Sequence, residues 1–124
     1  MGKRILIVDD DEMVRMALVE LLRPEGYLLD EAGSGKEALV KINENRYDLM
    51  MFDVIMPEID GLELCKKVRS RDEFKETPIV FLTAKSREQD KIKGLEAGAN
   101  LFLSKPISPE KLLAIISETI GQEV

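Results

Sequence analysis

The sequence has no histidine and no tryptophan, one cysteine among 124 residues, and aromatic side chains at only 5% of positions. Without histidine there is no imidazole general base, and a zinc site would have only Cys65 and carboxylates to draw on. A single cysteine closes no intrachain disulfide, so Cys65 reads as a small core hydrophobe in a chain suited to a reducing cytoplasm. Long apolar runs are also missing. Lys3 and Arg4 precede only Ile5 to Val8 before Asp9, too short for a signal peptide or a membrane span, so the expected location is cytoplasmic. Basic residues are outnumbered, 18 Lys and Arg against 24 Asp and Glu, for a net charge of -6. Direct nucleic-acid binding relies on clustered positive charge and is therefore not expected, and an affinity for cations is the better expectation.

What is present is an alternation. Short apolar runs at Ile5 to Val8, Leu28 to Ala32, Leu49 to Phe52, Ile79 to Leu82 and Asn100 to Leu103 alternate with longer segments of helical period. Continuous apolarity in a strand means cover on both faces, so the pattern predicts a doubly wound α/β fold with a five-stranded parallel sheet. Right-handed crossovers leave few topologies, and the flavodoxin-like order 2-1-3-4-5 is the expected one for five units. Helix starts are marked by Ser34 with Glu37, Ser86 with Gln89, Asp60, and Ser108 before Pro109. The first helix presents Val14, Ala17, Leu18 and Leu21 as its apolar stripe, and the last presents Leu112, Leu113, Ile116 and Ile120. A fourth helix over residues 86–97 has only Ile92, Leu95 and Ala97 to anchor it. With four residues after Ile120, no output domain is expected.

In open α/β sheets ligands bind beyond the carboxyl ends of the strands. At those ends stand Asp9, Asp10, Asp11 and Glu12 after the first strand, Asp53 after the third, Thr83 after the fourth, and Ser104, Lys105 and Pro106 after the fifth. In the expected strand order Asp9, Asp10 and Asp53 converge. Two like charges about 4 Å apart repel by roughly 4 kcal/mol at an effective dielectric near 20, so such carboxylates call for cations. Lys105 and a metal are the candidates, and hard oxygen donors favour Mg²⁺, with Mn²⁺ second, over zinc. Taken singly, each residue has a plainer role: the acidic run as a helix N-cap, Asp53 as a turn residue, Thr83 as a loop cap, Lys105 as a solvated lysine.

The blocks ILIVDDDEMVR, DLMMFDVIMPEIDGLEL, PIVFLTAKS and GLEAGANLFLSKPIS, in this order and spacing, resemble the receiver domain of two-component response regulators over essentially the whole chain. The resemblance implies one receiver domain over residues 1–124. It makes Asp53 the phosphoacceptor, and Asp10 and Asp53 direct Mg²⁺ ligands with Asp9 assisting and the backbone carbonyl of Ile55 completing the set. Lys105 and Thr83 would contact the phosphoryl oxygens, and Thr83 and Phe102 would form the switch. It also implies a cis peptide before Pro106. The donor would be a phosphohistidine on a sensor histidine kinase or a histidine phosphotransfer protein. An output domain or effector would meet the fourth helix, fifth strand and fifth helix, the chain being a monomer or a phosphorylation-linked dimer. Such a domain is a phosphoacceptor rather than an enzyme acting on a separate substrate. Three rivals stand beside this reading. An aspartate-nucleophile phosphohydrolase would need a late acidic pair, for which only Glu110, Glu118 and Glu123 are available. A flavin carrier would need an uncharged first loop to receive its phosphate. The third is an interaction module of the same fold that is never phosphorylated.

Overall fold

The structure, a computed structural model, describes residues 2–120. Strands β1 (Arg4–Val8), β2 (Leu28–Ala32), β3 (Leu49–Phe52), β4 (Ile79–Thr83) and β5 (Leu101–Ser104) form one parallel sheet in the order β2-β1-β3-β4-β5. Helices α1 (Glu12–Leu22), α2 (Gly35–Glu44), α3 (Gly61–Arg69), α4 (Glu88–Glu96) and α5 (Pro109–Ile120) alternate with them. No described helix is long and apolar enough to cross a membrane. The expected doubly wound fold and strand order are those observed.

The sheet divides two apolar layers. Leu6, Val8, Met50, Phe52, Ile79 and Phe81 project to the side of α2 and α3, while Ile5, Ile7, Leu49, Met51, Val80 and Leu82 project to that of α1 and α5. Every residue of β3 and β4 is buried, as the unbroken apolar runs required.

Several local expectations are corrected. In α1 the buried stripe is Leu18, Val19 and Leu22, with Val14 and Leu21 at its margin and Ala17 exposed. Apolar residues on several sides of this helix offer more than one stripe of helical period, and packing selects among them. Asn100 lies outside β5: its Oδ1 accepts hydrogen bonds from the Ile79 amide (2.9 Å) and from Arg69 Nη2 (2.8 Å), tying the approach to β5 to the start of β4. Ser86 does not start α4. Arg87 occupies the N-cap position, and the buried Asp90 carboxylate accepts its backbone N–H at 3.0 Å. Ser34, Asp60 and Ser108 do cap their helices, although Glu37 reaches back to the Gly33 amide rather than that of Ser34. Helix α4 is held as lightly as its composition suggests. Ile92 and Leu95 are 48% and 52% exposed, leaving Asp90 and Gly94 as its buried residues, with Ala97 at its C-cap.

Cys65 lies in the α3 layer, fully buried, with its Sγ donating toward the Ala97 carbonyl at 3.4 Å. Burial pushes its thiol up to about 11, with Arg69 pulling weakly the other way. Since the thiolate is the reactive form, a thiol reagent at pH 8 should label the native protein far more slowly than the same chain in denaturant. A time course read by intact mass checks this, and equal rates would show that the thiol is not enclosed.

Candidate functional site

The carboxyl ends of β1, β3, β4 and β5 meet at one edge of the sheet. The Asp53 amide donates to the Val8 carbonyl (3.0 Å) and the Asp9 amide to that of Ala32 (3.2 Å), so the ladders continue one residue past β3 and β1. Likewise the Lys105 amide donates to the Thr83 carbonyl at 2.8 Å. The Lys105–Pro106 peptide is cis, as the resemblance implied.

Side chains converge on one ammonium. Lys105 Nζ lies 3.0 Å from Asp9 Oδ2 and 3.2 Å from Asp53 Oδ2. The remaining Asp9 oxygen accepts the Asp11 amide (2.9 Å), and the remaining Asp53 oxygen accepts that of Ile55 (3.1 Å). Both carboxylates are nearly enclosed, Asp9 more deeply. Burial raises the Asp9 carboxyl above its ordinary value, with the Asp11 amide and Lys105 opposing. For Lys105 burial favours the neutral amine, but the hydrogen bond to Asp9 and the charges of Asp53 and Asp9 outweigh it. The ammonium is therefore held above its ordinary value and stays charged.

Asp10 is exposed, and among the described residues its carboxylate has no partner and the Ile55 carbonyl accepts no hydrogen bond. Among the described residues no group of three or more His, Cys, Asp or Glu side chains is arranged to hold a metal. The expected convergence of three carboxylates is thus a pair, Asp9 and Asp53, bridged by Lys105, with Asp10 beside it. This donor set still suits magnesium. Asp10, Asp53 and the Ile55 carbonyl are all hard oxygens, and Mg²⁺ takes one or two carboxylates while retaining several waters.

Thr83 is fully buried and its Oγ1 accepts the Lys85 amide at 3.2 Å, so it is near the strand ends without bonding to either carboxylate. Phe102 is half-buried on β5. Its ring lies 5.8 Å from that of Phe81, which packs edge-on against Phe52 at 6.1 Å. A Cβ added at Gly94 would come within 2.6 Å of the Phe102 ring. Such a Cβ improves helix propensity by about 1 kcal/mol. Because Phe102 sits on an edge strand beside solvent, the ring can yield. Gly94→Ala should therefore change stability by less than about 1 kcal/mol, the propensity gain offsetting the packing cost, while the aromatic NMR signals of Phe102 and Phe81 shift more than those of Phe74. Undisturbed ring signals would contradict the close approach.

The acidic run does cap a helix, the plainer role given to it, while Arg15 and Gly61 were not singled out from the sequence. Asp11 is the N-cap of α1, accepting the Met13 and Val14 amides at 2.9 and 3.3 Å. Arg15, one turn further on, donates from Nη1 to the Asp9 carbonyl at 2.7 Å and from Nε to Glu31 at 3.2 Å. Gly61 begins α3 directly against the Asp53 carbonyl. Nothing in the sequence marked Arg15, whose side chain bonds a backbone carbonyl and Glu31 on another strand, and nothing marked Gly61 beyond the capping Asp60. The acidic residues on α5, Glu110 and Glu118, are exposed, and no hydrogen bond or ion pair joins them to Asp53. Glu123 lies outside the described residues.

A family model described as "Response regulator receiver domain" matches residues 5–117. The chain is 42% identical over 110 residues to the transcriptional regulatory protein ResD of Bacillus subtilis, covering 89% of this chain and 45% of ResD. It spans about half the length of the curated relatives it matches. Among solved structures it is similar to a putative response regulator from Chloroflexus aurantiacus, with a TM-score of 0.92 and 42% identity over 98% of this chain and all of that one. It is also similar to the receiver domain of sensor histidine kinase PA1611 from Pseudomonas aeruginosa, with a TM-score of 0.90 and 30% identity over 98% of this chain and all of that one. That receiver has a magnesium ion coordinated in its active site cleft.

Proposed function

Since the chain belongs to the response regulator receiver domains of two-component signalling, we propose that it accepts a phosphoryl group on Asp53 and later releases it as inorganic phosphate. The observation that carries this reading is the Lys105 ammonium shared between Asp53 and Asp9 at the carboxyl edge of the sheet. An Asp53 oxygen attacks the phosphorus of a phosphohistidine on a sensor histidine kinase or phosphotransfer protein. The P–N bond breaks as the P–O bond forms, and the leaving imidazole nitrogen keeps the electron pair and is protonated. Later a water attacks the phosphorus and the Asp53 carboxylate leaves. The transferred group carries its charge into a site already negative, so the protein's share of the chemistry is positioning and neutralisation.

Lys105 is the fixed positive partner for the phosphoryl oxygens. Asp10, Asp53 and the Ile55 carbonyl, with Asp9 assisting, would hold Mg²⁺ or Mn²⁺, which supplies further positive charge against the phosphoryl oxygens. Support for that ion comes from the donor set and from the magnesium in the Pseudomonas receiver. Asp9, the more deeply enclosed of the two carboxylates bonded to Lys105, is suited to a supporting part.

Phosphorylation adds about -1.5 to -2 charges and new acceptor oxygens, by analogy with other phosphorylated side chains. Thr83 then turns its hydroxyl from the Lys85 amide toward the phosphoryl group, and Phe102 follows into the space behind it. The output surface is α4, β5 and α5, consistent with the thin anchoring of α4. A downstream effector or an output domain would be the partner of this face; the relative ResD is named a transcriptional regulatory protein.

Incubation with a phosphorylated histidine phosphotransfer protein, or with a small phosphodonor such as acetyl phosphate, should add the mass of one phosphoryl group in Mg²⁺ and none in excess chelator. The reading fails if no mass is gained with either donor.

A further inference from the structure

Among the described residues the Asp10 carboxylate has no partner, so its backbone fixes where it points. The backbone on its N-terminal side is the Asp9–Asp10 peptide. Its carbonyl accepts a 2.7 Å hydrogen bond from Arg15 Nη1. The guanidinium is itself held, its Nε bonded to Glu31 Oε1 at 3.2 Å near the end of β2, and its side chain is only 17% exposed. Arg15 also follows the cap of its own helix, its amide donating to the Asp11 carbonyl at 3.1 Å. One side chain therefore ties the start of α1, the exit of β1 and the edge strand β2 to the plane of a single peptide.

We propose that Arg15 is a positioning residue, which orients the Asp9–Asp10 peptide so that the Asp10 carboxylate is presented to a divalent cation. This rests on reading Asp10 as a magnesium ligand. The sign of the effect separates positioning from charge. A guanidinium beside an acidic site repels an incoming cation, so if Arg15 acted only through its charge, its removal would tighten Mg²⁺ binding. If it acts by holding the peptide, its removal weakens binding despite the lost repulsion. Residues that orient metal ligands commonly change metal affinity by about 10–100-fold when replaced.

The test is calorimetric titration of the full chain with MgCl₂, alongside denaturant unfolding. The variants are Arg15→Ala, Arg15→Lys and Asp10→Ala. Arg15→Ala should raise the Mg²⁺ Kd by about 10–100-fold. Arg15→Lys keeps the charge but loses the planar guanidinium that reaches the Asp9 carbonyl and Glu31 together, so its Kd should fall between those of wild type and Arg15→Ala. Amide signals of Asp10 and Asp11 should move in both variants before any metal is added. If Arg15→Ala does not fold, Arg15→Lys decides alone. A folded Arg15 variant binding Mg²⁺ as tightly as wild type, or more tightly, overturns the proposal, as does lowered stability with unchanged Kd, which is what a purely structural contact would give. Should wild type bind no Mg²⁺, or Asp10→Ala bind it unimpaired, the reading of Asp10 fails and the positioning role with it. Weakened binding in Asp10→Ala but not in either Arg15 variant overturns the positioning role alone.

Discussion

Asp53→Ala is expected to abolish phosphoryl incorporation, leaving intact mass unchanged after incubation with a donor and Mg²⁺ that fully modify the wild type. The site offers three carboxylates, and their surroundings differ. Asp9 is the most enclosed, and burial raises its carboxyl above the ordinary value. Asp10 is exposed and without a cation from the protein beside it. Asp53 combines a Lys105 ammonium at 3.2 Å with a side chain about twice as exposed as that of Asp9, 11% against 5%. It alone pairs reach for an incoming phosphorus with a fixed charge to receive the product. Asp10→Ala should slow incorporation by weakening cation binding while leaving a detectable product at high Mg²⁺. If Asp53→Ala still gains one phosphoryl mass, the acceptor is another group and the site has been assigned wrongly.

The second large effect is expected at a residue with no side chain. Gly61→Ala would drive a methyl group into the Asp53 carbonyl and bring it within 2.9 Å of the Phe81 ring. Unlike the ring facing Gly94, the obstacle here is backbone at the end of a central strand, its amide bonded to Val8 and its following peptide to Gly61 through the Val54 carbonyl. It has nowhere to go. Overpacking of this kind costs about 3 kcal/mol, which in a domain of this size lowers the melting temperature by roughly 10 °C. Because the displaced atom belongs to Asp53, incorporation should fall even below the melting transition. Calorimetry paired with the mass assay checks both. A stable Gly61→Ala protein with normal incorporation would mean that the start of α3 moves freely relative to β3.

These two positions mark how far the sequence alone could go. Asp53 was legible because a strand of unbroken apolarity stops at it, and parallel sheets place chemistry where strands stop. The same alternation and the handedness of crossovers narrowed the strand orders to a few, of which the flavodoxin-like one was the expected one. The Asp9, Asp53 and Lys105 triad needed that order before it could be imagined, since Lys105 lies 96 residues from Asp9. What stayed hidden depends on distance rather than residue type. Gly61 looks like any glycine after an N-cap until the Asp53 carbonyl is found beside it. Arg15 looks like a surface residue on the polar side of α1 until its guanidinium is seen to turn inward. The rotation of the α1 stripe and the shift of the α4 cap from Ser86 to Arg87 had the same origin: several apolar residues, or several polar caps, compete locally and tertiary packing decides between them.

The strand order has a last consequence, for how copies of this chain can associate. Among the described strands only β2 and β5 have an unpaired flank. Exposed strand edges can template pairing with another chain, and proteins suppress this with charge, brevity and proline. Here β2 places Asp30 and Glu31 side by side, while β5 is only four residues long and is followed at once by Lys105 and Pro106, whose nitrogen has no hydrogen to donate. Neither rim of the sheet is a good template for strand-on-strand growth into fibres. Were copies of this chain to associate, these guarded edges would leave the helical faces as the surfaces for it.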